Sequence, residues 1–267
     1  MTESVVIEEK KSHSADWKSL AVKASVFFLA LVLVAEVLFY LVYVPATSRV
    51  RLQIEGSASL GYDEMCSLAG LSGFERWISF DSAAVASRLA ANPLFSSVSV
   101  DRYFPDRVTI RVRERVPVAV ALGTVDGRMV PFEIDQNGVA FRFGKTCSSG
   151  SLPLLTGLTF ENPLPGMRLN SRLKPLLDDL ARLELSHPDL LSSLSEIKIV
   201  EKTYGGYDLV LYPVHTPVRV RTDKALNQDA LQYMMLVLDV VKDMELPVDE
   251  IDIRAGTVAY RIRENTI

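Results

Sequence analysis

The sequence predicts an α+β protein: a single N-terminal transmembrane helix, a β-α-α-β-β unit, then a mixed β-rich region with two helices. Three observations carry this. Residues 24–44 are almost wholly apolar. Several short segments beyond them alternate apolar and polar residues with period 2, which marks half-buried strands. Between the strands, leucines and other apolar residues recur at three- and four-residue spacing, the mark of a helix with one buried face. With 267 residues the chain is long enough for two modest domains outside a membrane.

The apolar segment reads "ASVFFLALVLVAEVLFYLVYV". At about 1.5 Å per residue it spans roughly 30 Å, the hydrocarbon thickness of a bilayer. Pro45 is expected to end it. Lys10, Lys11, Lys18 and Lys23 precede it and Arg49 and Arg51 follow. That bias places residues 1–23 in the cytoplasm and the rest outside. The run is too long for a signal-peptide core and no A-x-A cleavage site follows, so an uncleaved anchor is expected. Glu36 sits near mid-span, where a charge is costly. It shares a helix face with Leu29, Leu33, Tyr40 and Tyr43. Glu36, Tyr40 and Tyr43 either form a polar seam against a partner helix or belong to a simple anchor that tolerates the acid.

The first exterior segment, 48–116, opens with the strand "VRLQIEG". A short helix follows at about Tyr62–Ala69, stopped by Gly70, and a second from the N-cap Asp81 to Ala91, with Val85 and Leu89 facing inward. Two strands then flank the turn Phe104–Pro105–Asp106. In the second, Val108, Ile110 and Val112 face the core and Arg107, Thr109 and Arg111 face away. Glu114 has inward parity, so either the parity breaks before Pro117 or a partner holds Glu114 at the domain junction. The remaining segment, 117–267, shows strands in "VPFEIDQNGVAFRFG", turning at Asn137–Gly138. It continues with a short apolar strand in 152–158 and a helix over 171–186 starting near Lys174. Two strands at 195–202 and 206–212 meet at Gly205–Gly206, and another lies at 217–222. A long helix over 224–245 aligns Leu226, Ala230, Tyr233, Val237, Val241 and Met244. Closing strands at 249–254 and 257–263 bend at Ala255–Gly256.

Charge excludes little chemistry and favours none. Net charge is −4, which gives no electrostatic case for nucleic acid. Cys66 and Cys147 are too few for a disulfide framework and lie outside any zinc-like spacing. His13, His187 and His215 have no Cys or Glu at ligand spacing. The sequence has no P-loop, GxGxxG, GxSxG or HExxH. No catalytic, cofactor-binding or metal residue is assigned, and no cofactor or small-molecule substrate is expected. The acids Asp249, Glu250 and Asp252 read as solvated strand polarity. The row Arg107, Arg111, Arg113 and Arg115 reads as a solvated face, or as a contact for acidic groups or lipid phosphate.

The anchor, "VRLQIEG" and "AGLSGFERWISFDSAAVASRLAANPLFSSVSVDRYFPDRVTIRVRERVPVA" together resemble the POTRA domain of bacterial division proteins of the FtsQ/DivIB type. "PFEIDQNGVAFRFG", "LPLLTGL" and "IDIRAGTVAYRI" resemble that family's second, β-rich domain, although "IRAGTVAY" lacks the aromatic that often follows the arginine. The resemblance implies a non-enzymatic scaffold of the divisome at the inner membrane, with its C-terminal domains in the periplasm at the division septum. It further implies links to FtsB/DivIC-like and FtsL-like bitopic partners and a part in regulating septal peptidoglycan synthesis. An adaptor for protein secretion or outer-membrane assembly and an anchored hydrolase are the alternatives. The closing strand places Val258, Tyr260 and Ile262 on one face and Thr257, Ala259, Arg261 and Arg263 on the other. A border strand exposes unpaired N–H and C=O groups. The resemblance puts a partner site at Arg254, Ala255, Gly256, Thr257, Val258, Ala259, Tyr260 and Arg261, with Arg254 and Arg261 as donors to partner acids.

Overall fold

A computed structural model describes residues 14–147, 152–223, 225–254 and 257–262. The apolar segment forms α1 (Ser14–Leu38), which passes through a π turn (Phe39–Tyr43) into α2 (Val44–Thr47). Trp17–Thr47 is long and apolar enough to cross a membrane, and within it Pro45 is buried while residues 17–43 are exposed. Pro45 does not end the helix, contrary to the sequence expectation. Proline clashes with the carbonyl four residues back. The π turn, in which Val44 N–H bonds Phe39 O, opens the helix just before it. The helix stops at Thr47, whose hydroxyl donates to the Tyr43 carbonyl at 2.8 Å.

The chain divides into two compact units. One runs to Glu55 and adds Ser59–Arg88 and Ser99–Arg111; the other comprises Gly56–Ala58, Leu89–Val98 and the chain from Val112 on. The next elements are β1 (Arg51–Glu55), α3 (Tyr62–Ala69), α4 (Ser82–Ala90), β2 (Phe95–Tyr103) and β3 (Arg107–Glu114). The strands lie in the order β1-β3-β2, with β1 parallel to β3 and Ile54 opposite Ile110. Gly70 takes the left-handed conformation that closes α3, and the Asp81 carboxylate caps α4 by accepting from Ala84 N–H at 2.9 Å. Met65, Ala69, Val85, Val108 and Ile110 are buried, as the alternation requires. Thr109 is buried as well. It belongs to the central strand, so neighbours on both sides cover its outward face.

The second unit holds β4 (Pro117–Val125), β5 (Arg128–Asp135), β6 (Ala140–Phe143), β7 (Leu154–Thr156), α5 (Lys174–Ser186) and α6 (Pro188–Ser192). It continues with β8 (Leu194–Glu201), β9 (Tyr207–Pro213), β10 (Arg219–Thr222), α7 (Gln228–Asp243), β11 (Val248–Asp252) and β12 (Ala259–Ile262). Among the described residues these strands make one nine-stranded sheet, ordered β12-β11-β10-β9-β8-β7-β4-β5-β6. Its main core joins Phe132, Leu155, Ile197 and Leu209 of the sheet with Leu176, Leu177 and Leu180 of α5. α7 is the crossover between the parallel strands β10 and β11.

Three sequence expectations change here. β4 went unread. It pairs with β5 through Asp126–Gly127, both at positive φ, a hairpin turn of the Asp-Gly kind. The short helix α6 also went unread. α7 starts at Gln228 on an Asn227 cap, and its buried face is Leu231, Met234 and Val241. Tyr233 and Met244 are exposed. Apolar residues crowd every face of "LQYMMLVLDVV", so the stripe in the sequence fits a helix rotated by one residue equally well.

Gly56 follows β1 at φ 89°, and a Cβ there would sit 2.0 Å from the Val112 carbonyl oxygen. Gly56→Ala is expected to cost about 2 kcal/mol or more through backbone strain and this clash. Urea unfolding in detergent should show a lower midpoint; an unchanged midpoint contradicts the assignment.

Candidate functional site

A sheet rim carries a row of unpaired N–H and C=O groups, which natural proteins cover or use. The two rims of the nine-stranded sheet differ. At β6, Ala140 N–H donates to the Met167 carbonyl at 2.9 Å, Gly166 N–H donates to the Ala140 carbonyl at 2.7 Å, and Val139 bridges to Arg168. The chain's own loop therefore covers the Ala140 end of the β6 rim. At β12 no strand pairs with the outer edge among the described residues, and residues 257–262 are all exposed.

The register of β12 on β11 sets what this rim displays. Tyr260 stands opposite Ile251 and Ile262 opposite Val248. Ile251 and Val248 are buried in a small core with Val218 and Val241. Tyr260 and Ile262 continue that apolar row yet are 55% and 57% exposed. Among the described residues the core thus runs out to the rim and ends there uncovered.

Charge on the neighbouring strands is interleaved. The Arg219 guanidinium lies 2.6 Å from Asp249, and Arg261 lies 3.2 Å from both Asp249 and Glu250. Arg219, with help from Arg261, holds the Asp249 carboxyl below its usual range. Arg254 bonds Asp252 through Nε at 2.9 Å and lowers that carboxyl too. Burial works against ionised Asp208, but bonds from Lys202 and Arg254 outweigh it, and its carboxyl also lies below the ordinary value. The pairs to Asp252 and Asp208 push the Arg254 guanidinium higher still. The acids Asp249, Glu250 and Asp252 are therefore a paired lattice with arginines.

Of the rim residues singled out in the sequence, Arg254, Thr257, Val258, Ala259, Tyr260 and Arg261 fall together at β12; Ala255 and Gly256 lie outside the described residues. Arg254 and Arg261 were expected to hold partner carboxylates, and both already hold carboxylates of this chain. In the helix, Glu36, Tyr40 and Tyr43 are all exposed on its surface. The π turn widens the spacing there, so Tyr43 stacks on Phe39 at 4.8 Å, whereas Tyr40 meets Phe104 at 5.4 Å.

Glu114 has the partner its parity called for. Its Oε1 accepts from Ala58 N–H at 2.8 Å, and Arg142 lies 3.7 Å from Oε2. Arg142 also reaches Glu133, which is fully buried, and Arg115 bonds the buried Asp135 at 2.6 Å. Asp135 further accepts from Asn137 and Val139 N–H, closing the Asn-Gly turn. Sequence reading missed Arg142, Glu133 and Asp135, because alternation in "FEID" assigns both acids to a solvated face. β5 is covered on both faces, and the one usable signal was a pair of acids with two arginines nearby. Elsewhere in the arginine row, Arg111 lies between Glu55 at 3.2 Å and Asp101 at 2.6 Å. Cys66 and Cys147 are free thiols. Among the described residues no group of three or more His, Cys, Asp or Glu is arranged to hold a metal ion.

Residues 50–115 match the family described as "POTRA domain, FtsQ-type". Cell division protein FtsQ of Geobacter sp. (strain M21) is 35% identical over 161 residues, 60% of this chain and 55% of that protein. Its counterpart in Syntrophotalea carbinolica (strain DSM 2380 / NBRC 103641 / GraBd1) is 26% identical over 174 residues, 65% of this chain and 59% of that protein. Residues 50–115 thus match a POTRA domain of the FtsQ type, and the chain is similar to FtsQ cell division proteins. It spans about half the length of the curated relatives it matches. The solved extracytoplasmic domain of DivIB, trans isomer, from Geobacillus stearothermophilus is 17% identical, with a TM-score of 0.31 over 49% of this chain and 96% of that one. The N-terminal helix is a candidate membrane span, and the open rim is the candidate site.

The depressed carboxyls predict a pH signature. A carboxyl whose folded value lies below its unfolded value stabilises the fold above the unfolded value, about pH 4, and loses that contribution as pH falls through the folded value. Asp249 and Asp252 are such groups. Amide exchange protection in β11 should hold from pH 8 to about pH 5 and weaken below about pH 4. Loss of protection between pH 8 and 6 would contradict the pairing.

Proposed function

We propose that this protein is a non-enzymatic scaffold of the divisome that receives an extended partner segment on β12. The carrying observation is the contrast between the rims: β6 is covered by the protein's own loop, and β12 is open with Tyr260 and Ile262 uncovered at the end of a core. Strand addition supplies main-chain bonds for affinity and side-chain pockets for selection. The family supports FtsB/DivIC-like and FtsL-like bitopic proteins as partners and a part in regulating septal peptidoglycan synthesis. In this reading residues 1–23 are cytoplasmic, 48–116 form the POTRA domain, and 117–267 form the partner-binding domain in the periplasm at the septum. The partner site comprises Arg254 to Arg261, and Glu36 with Tyr40 contributes a seam to a neighbouring membrane helix. A secretion adaptor would share the POTRA segment, but the cell-division relatives give it no support.

The test is capture of a tagged exterior segment of the FtsB-like partner by the full chain. Proline removes a ladder donor. Prolines at Thr257 and Ala259, or at Val258 and Tyr260, should reduce capture about tenfold or more in whichever pair has N–H groups facing outward. Arg261→Ala should reduce it by about threefold or less, because that guanidinium is already paired. Unchanged capture by both proline pairs, each with a wild-type unfolding midpoint, would place the site elsewhere.

A further inference from the structure

Aromatic residues collect where the spanning helix leaves the membrane. Residues just past Thr47 pair with a short segment of the first unit. Val50 N–H donates to the Glu75 carbonyl at 3.0 Å, Trp77 N–H donates to the Ser48 carbonyl at 3.2 Å, and Arg49 bridges to Arg76. This pairing ties Trp77 to the helix end. Phe104, on the turn between β2 and β3, packs edge-on against Trp77 at 5.8 Å and against Tyr40 of the helix at 5.4 Å. The Arg102 guanidinium lies over the Trp77 ring at 4.4 Å and Arg49 over Phe74 at 5.5 Å. Yet Phe74 is 71% exposed, Ile78 54% and Phe104 43%.

Depth decides what covers this face. If residues 24–44 fill the hydrocarbon, Tyr40 lies about 9 Å from the middle, some 6 Å inside the hydrocarbon edge. A ring touching Tyr40 is then at the boundary between acyl chains and headgroups. Aromatic rings favour that level, and arginines place their aliphatic stems there with the charge at the phosphates. The nearby acids offset this charge only in part. Asp106 is paired with Arg51 at 2.8 Å, and the Glu75 carboxylate, held by Ser72 N–H, Ser72 Oγ–H and Gly73 N–H, leaves a net positive charge on Arg49 and Arg102.

We propose that the face formed by Phe74, Trp77, Ile78 and Phe104, with Arg49 and Arg102, docks on the lipid leaflet from which the helix emerges. Lipid is the occupant because the face is continuous, through Phe104 and Tyr40, with a helix surface that is itself in lipid. The docking is independent of the β12 site. It would hold this unit down on the bilayer instead of letting it swing on a flexible stalk.

The protein carries two tryptophans, Trp17 and Trp77, so Trp17→Phe leaves Trp77 as sole reporter. The full-length Trp17→Phe protein is placed in phosphatidylethanolamine–phosphatidylglycerol vesicles containing lipids brominated either near the headgroup or near the chain ends. Trp77 emission should be quenched by the shallow label about twofold or more beyond the deep one. Adding Phe74→Ser and Phe104→Ser should reduce that quenching. The control is Tyr40→Trp in a chain whose two native tryptophans are Phe, which must be quenched. Unquenched Trp77 beside a quenched control, or stronger quenching by the deep label, overturns the proposal; in the first case the face is open to a protein instead.

Discussion

The unpaired edge of β12 is the constraint on which the account turns. Backbone N–H and C=O groups in a strand need partners, and an open rim is both a hazard and a binding surface. The fold meets this demand unequally at its two ends. The loop around Gly166 and Met167 folds back to bond Ala140, so β6 offers little main chain to another protein. Among the described residues β12 is bonded on one side, to β11. Its apolar residues stand in register with buried residues of the next strand, so a small core reaches the rim and stops there.

Interleaved charges keep that rim in a defined register. Asp249, Glu250 and Asp252 alternate with Arg219, Arg221, Arg254 and Arg261 across β10, β11 and β12. Pairs this exposed stabilise little individually. Their use here is geometric, because each arginine bridges strands or ties a strand end to its neighbour. They also charge an edge strand whose backbone is open, one of the devices that discourages indiscriminate strand pairing.

Much of this was legible in the sequence. The β-α-α-β-β unit could be read because its strands are half-buried and alternate, and because Gly70 and Asp81 mark helix ends by well-understood capping chemistry. The closing strands could be read for the same reason, and with them Tyr260 as a rim residue. What failed was whatever is covered on several faces. β4 is apolar on both faces, with Val118, Ala119 and Ala121 all buried and so no apolar–polar alternation, and Glu133 and Asp135 are buried through pairing that links residues distant in sequence. The phase of α7 was ambiguous because its apolar residues occupy every face. Pro45 was read by its local rule, which the preceding π turn circumvents. The rim itself was visible as an expectation; that its arginines are already paired, and that the opposite rim is covered, are facts of long-range packing.

The most direct measurement is site-specific photo-crosslinking in dividing cells, with a photoreactive phenylalanine analogue at Tyr260, at Arg142 of the β6 rim, or at Arg113 of β3. The account predicts a crosslink from position 260 to a small bitopic division protein of the FtsB/DivIC kind and none from position 142. Crosslinks to that protein from position 113 or 142, with position 260 silent, would contradict it.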